Sequence, residues 1–62
     1  MHILITYQWK TQEGKWNIEN EVYHGTPTEW LLEAIQQPEP HRLLNTIKIT
    51  EEDYGDLKGK IN

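Results

Sequence analysis

Apolar and polar residues alternate twice within the first 22 positions, and a short glycine-containing turn separates the two stretches. Side chains of an extended chain point alternately to opposite faces. Ile3, Ile5, Tyr7 and Trp9 therefore share one face, and His2, Leu4, Thr6, Gln8 and Lys10 share the other. Thr11-Gln12-Glu13-Gly14 reads as a four-residue turn in which Gly14 supplies a positive φ. Closing that turn by pairing Lys10 with Lys15 sets Trp9 against Trp16, Tyr7 against Ile18, Ile5 against Asn20 and Ile3 against Val22. The aromatic and aliphatic side chains then gather on one face, while Leu4, Glu19, Glu21 and Tyr23 fall on the reverse. Asn20, an amide pointing inward, is the weak point and suggests a bulge. A slip of one residue would exchange the faces of the second strand. The register thus decides where the core lies and where a binding surface lies.

The rest of the chain supplies a helix, a strand and a second helix. Thr26-Pro27-Thr28-Glu29 is a helix start: Thr26 caps, Pro27 suits the first helical position and Glu29 completes a capping box. Leu31, Ala34 and Ile35 form the expected buried stripe, flanked by Trp30 or Leu32, and Pro38 and Pro40 stop the helix near Gln37. Residues 42–50 read as a strand with Leu43, Ile47 and Ile49 on one face and Asn45 interrupting them. Thr50 resembles a second cap before Glu51, Glu52 and Asp53, whose charges suit a helix N-terminus. Tyr54, Leu57 and Ile61 recur at helical spacing, while Gly55 and Gly59 weaken the segment, so fraying is expected beyond Lys58. A right-handed crossover through the first helix makes strand three parallel to strand two and antiparallel to strand one. The expectation is an α+β fold over residues 1–62: one small two-layer β-β-α-β-α domain, its mainly antiparallel sheet in order 2-1-3, with both helices on the apolar face.

A chain of 62 residues is near the lower limit for folding without staples, and it has no cysteine to form a disulfide or a thiolate metal site. No apolar run reaches membrane-spanning length, and the start lacks a secretory signal. A cytoplasmic protein with no membrane partner is expected. Ten acidic against six basic residues give a net charge of −4. Lys10, Lys15, Arg42, Lys48, Lys58 and Lys60 are scattered, whereas phosphate recognition favours a basic stripe.

Several constellations are candidates for chemistry. His2 and His24 meet at the open end of the hairpin, with Glu51 and Asp53 nearby, while His41 lies at the turn end. The spacings match no metal signature, so surface histidines are the expectation, with neither metal nor cofactor. Glu19 with Glu21, and the run from Glu51 to Asp53, serve general acid–base work only inside a cleft, which helices on one side of three strands do not provide. With no serine, no cysteine and no phosphate loop, the chain is read as a non-enzyme. Trp9, Trp16 and Trp30 are assigned to the core. Leu4 and Tyr23, flanked by Glu19 and Glu21 on the outer face, form the expected interface with another protein.

A non-catalytic protein-interaction or regulatory module is therefore the leading expectation. The molecule would be a monomer, or a weak homodimer through the edge of strand three, which Lys48 and Arg42 disfavour. A nucleic-acid-binding domain ranks second, because acids on the open face would repel phosphates. An acidic inhibitor that imitates nucleic acid is a further alternative, and a net charge of −4 is small for such a mimic.

Overall fold

The computed structural model describes residues 1–61. Its elements run β1 (His2–Lys10), β2 (Trp16–His24), α1 (Pro27–Ala34), β3 (His41–Ile49) and α2 (Glu51–Ile61). The three strands form an antiparallel sheet in order β2-β1-β3. The α+β class, the element order and the strand order match the sequence reading.

The hairpin register differs from that reading by one residue. Lys10 pairs with Trp16, Gln8 with Ile18, Tyr7 with Glu19, Ile5 with Glu21, Leu4 with Val22 and Ile3 with Tyr23. The loop is the cause. Just beyond the last strand pair, Thr11 N–H donates to the Lys15 carbonyl at 2.8 Å, so only Gln12, Glu13 and Gly14 make the turn. Gly14 N–H donates to the Thr11 carbonyl at 2.9 Å, and Gly14 sits at φ 89°. These two bonds and the left-handed glycine close a three-residue loop, one residue shorter than the loop inferred from the alternation. Lys15 N–H also donates to the Thr11 hydroxyl at 3.2 Å.

This one-residue change redistributes β2. Glu19, Glu21 and Tyr23 stand on the face of Ile3, Ile5, Tyr7 and Trp9, and Trp16, Ile18 and Val22 stand on the face of Leu4. Asn20 no longer points into a core; it accepts from Thr6 Oγ1 at 2.8 Å. The bulge expected in β2 occurs in β3, where the pairing with β1 shifts between Thr6 and Tyr7. That shift splits the apolar set of β3. Leu43 faces Tyr7 on one side, and Ile47 and Ile49 pair with Leu4 and His2 on the other.

The helices divide between the two faces instead of sharing one. Trp30 and Ala34 of α1 complete a buried cluster with Ile3 and Ile5, flanked by Tyr7, Tyr23 and Leu43. Burying Trp30 and Ala34 leaves Leu31, Leu32 and Ile35 exposed, so the buried stripe is rotated from the expected one. One large ring at Trp30 covers the sheet that two smaller side chains would otherwise have to cover. The start of α1 follows the sequence: the Thr26 hydroxyl accepts from Glu29 N–H at 3.1 Å, and the Glu29 carboxylate accepts from Thr26 N–H at 2.9 Å. The Thr26 N–H bond holds the Glu29 carboxyl below its usual range.

Across the sheet, Tyr54 of α2 lies 4.7 Å from the His2 ring, and α2 packs on β2 and β1. Val22, 6% exposed, is buried on this side and stands apart from the α1 cluster. Thr50 caps α2, its hydroxyl accepting from Asp53 N–H at 3.0 Å. The helix extends past Lys58 to Ile61, and Asn62 lies outside the described residues. Among the described residues, no helix is long and apolar enough to cross a membrane.

Candidate functional site

With Glu21 and Tyr23 on the α1 side, the sheet and α1 enclose a cleft of about 250 Å³. Tyr7 and Trp30 form its floor. Glu21 and Tyr23 come from β2, Glu33 from α1, and Gln37 and His41 close the end. The cleft is absent from the fold expected from the alternation, in which both acids of β2 lie on an open outer face.

Each wall residue is held by a neighbour. Trp30 Nε1 donates to Glu21 at 3.1 Å, and the Tyr23 phenol donates to Glu33. Tyr7 packs against Trp30 with ring centroids 5.1 Å apart, and His41 stacks on Tyr7 at 5.8 Å. His41 Nδ1 lies 2.7 Å from the Glu39 carbonyl. A carbonyl only accepts, so Nδ1 carries the proton and Nε2 is the acceptor of the neutral ring. At the margin, Trp9 Nε1 donates to Glu19.

The local field is negative. Two carboxylates line the cleft and neither Lys nor Arg does. Burial, followed by the charges of Glu19 and Glu21, raises the Tyr7 phenol above its usual value. The bond to Glu33, then burial, pushes Tyr23 up to about 12. Both phenols therefore stay neutral and act as hydrogen-bonding walls. Aromatic faces beside unneutralised carboxylates suit a cation: the rings attract it through their quadrupoles, and the acids through charge-assisted hydrogen bonds.

The four residues expected to form one interface are not brought together. Glu21 and Tyr23 line the cleft, Glu19 lies beside it, and Leu4 is on the opposite face, paired with Val22 and Ile47. Tyr7, Trp30, Glu33 and His41 are site residues that the sequence reading left out. Gly14 at the third position of a Gln-Glu-Gly loop was the signal for them, since it fixes the register that carries Glu21 and Tyr23 under α1.

The histidines fall where the sequence places them. His2 and His24 stack at 4.5 Å at the open end of the hairpin, and His41 lies at the other end beside Trp9. Among the described residues, no group of three His, Asp or Glu side chains is arranged to hold a metal ion. Comparison with protein families, with characterised proteins and with solved structures returns no match.

Proposed function

We propose that the protein is a non-catalytic interaction module whose cleft takes a lysine or arginine side chain from a cytoplasmic partner protein. The observation that carries this reading is a pair of carboxylates, Glu21 and Glu33, set over Tyr7, Trp30 and Tyr23 with no cation lining the cleft. A partner side chain would supply the missing positive charge. Its aliphatic stem would lie on the aromatic floor while its head reaches the acids.

Capped Gly-Lys-Gly and Gly-Arg-Gly peptides, titrated into isotopically labelled protein, test the reading. The expected result is a shift of the Trp30 indole N–H and of the β2 amides around Glu21 and Tyr23. Glu21→Gln and Glu33→Gln should each weaken binding about tenfold, the scale of a hydrogen bond to a charged group. If neither peptide perturbs the Trp30 indole at millimolar concentration, the cleft is not a cation site.

A further inference from the structure

The register that builds the acidic cleft also clears the opposite face of acids. Every β2 carboxylate, Glu19 and Glu21, stands on the α1 side. The strand positions of the other face hold none. Around the hairpin tip that face presents Gln8, Lys10, Trp16, Asn20, Arg42 and Asn45. The Arg42 guanidinium lies 4.1 Å from the centre of the Trp16 ring, and Lys10 Nζ lies 5.9 Å from it. The Thr6–Asn20 bond uses the Asn20 amide oxygen and not its Nδ2 donors. Asn20, Arg42 and Asn45 are exposed, and Ile18 between them is 63% exposed, so α2 does not cover this end.

The strand positions of this face carry Lys10 and Arg42 and no acid; the acids on this side, Glu51, Glu52, Asp53 and Asp56, belong to α2. The acidic first turn of α2 follows Ile49, which pairs with His2 at the far end of β1. Eight residues of strand, about 26 Å, separate that end from Lys10. This is roughly three Debye lengths at physiological ionic strength. Glu19 and Glu21 flank Asn20 in sequence but stand on the α1 side of the sheet, and Glu13 in the hairpin loop is followed by Lys15.

We propose that the tip of this sheet face binds single-stranded nucleic acid, with bases stacking on the Trp16–Arg42 pair. Arg42 and Lys10 would meet backbone phosphates, and the amides of Gln8, Asn20 and Asn45 would meet base edges. Charge complementarity selects an anionic ligand, and the stacked aromatic–guanidinium pair selects one with flat rings. Two cations are too few to hold a duplex, whose binding depends on neutralising many phosphates. A strand with unstacked bases gains affinity from stacking as well. This site does not rest on the cation cleft, which lies on the other face.

Fluorescence anisotropy of labelled oligonucleotides of about ten nucleotides, within the site size of small single-strand binders, tests the proposal. Binding should fall with salt at a slope of about −1.4 in log–log form, the value for two phosphate contacts. Trp16→Ala should weaken it at least about fivefold, the lower bound for loss of one stacking contact. Arg42→Gln, which leaves the ring in place, should weaken it too should Trp16→Ala fail to fold. Glu21→Gln and Glu33→Gln should leave it unchanged, which separates this outcome from the fate of the cleft. The proposal is overturned if the folded protein binds no oligonucleotide at low salt or if Arg42→Gln binds as tightly as the parent. It is equally overturned if a duplex binds more tightly than the single strand, or if a poly-glutamate peptide of equal charge competes as well.

Discussion

Tyr23 joins strand to helix through a bond that only a protonated phenol can make. Its donation to Glu33 pushes the group up to about 12 in the folded protein, against an ordinary value near 10. A folded-state value above the unfolded one means that the native state holds the proton longer. The stability from this bond is complete below about pH 10 and is lost as pH rises through about 12. Urea midpoints of the parent should therefore fall faster over that window than those of Tyr23→Phe, which has no phenolic proton to lose. Parallel curves would show that the bond contributes nothing. Gly25 sets the position of the same ring. A Cβ built there at φ 153° would lie 2.6 Å from Tyr23 Cε2 and 3.3 Å from Glu29 Oε1. Gly25→Ala should cost about 1–3 kcal/mol, the range for a residue forced into a disfavoured backbone conformation. It should also displace the Tyr23 ring from Glu33, visible as a change in its aromatic NMR shifts.

At the scale of elements, residue order carries the fold further than alternation carries the faces. The capping box at Thr26 and Glu29 and the run of nine residues in β1 follow from local chemistry, and the structure has both, while α1 ends at Ala34, three residues before the stop expected near Gln37. The face of β2 does not follow, because its alternation shows which side chains stand together and not which side of the sheet they join. Trp16, Ile18 and Val22 fit either side of the sheet, and only the length of the loop chooses between them. The helix on each face has the same origin: once Val22 and Leu4 face away from α1, a second apolar surface needs cover, and Tyr54 provides part of it. The weakest element is α2. Gly55 and Gly59 lie inside it with nothing within 4 Å of a built Cβ. Gly55→Ala should therefore stabilise the protein by about 1 kcal/mol without a steric penalty. Gly59→Ala, in the last turn of the helix, should give less, because a terminal residue supports fewer helical hydrogen bonds than an interior one. Thermal melts by circular dichroism check both, and slower amide exchange beyond Lys58 in Gly55→Ala would place the gain in this helix.

For the whole molecule, two helices on opposite faces still leave one end of the sheet uncovered. The radius of gyration is 12.0 Å, against about 10.6 Å for a compact chain of this length. The accessible surface is 4513 Å², against about 4,200 Å² for this mass. The excess reflects a long thin body, 37 Å by 22 Å by 16 Å, whose strands outrun their helices. Ile3, Ile5 and Val22 are buried within the half beneath α1 and α2, whereas Ile18 is 63% exposed near the hairpin tip. Local opening takes the lowest free energy where few apolar contacts are lost. Amide exchange should therefore be slowest at Ile3, Ile5 and Val22 and faster by orders of magnitude from Trp9 to Ile18, although the same ladder joins both regions. A capped lysine peptide should slow exchange in β2 around Glu21, and an oligonucleotide should slow it at the tip. Equal protection along both strands of the free protein would contradict this gradient. Tip protection that grows with protein concentration would mean that a second copy covers Trp16 and Ile18, and that the open face serves self-association.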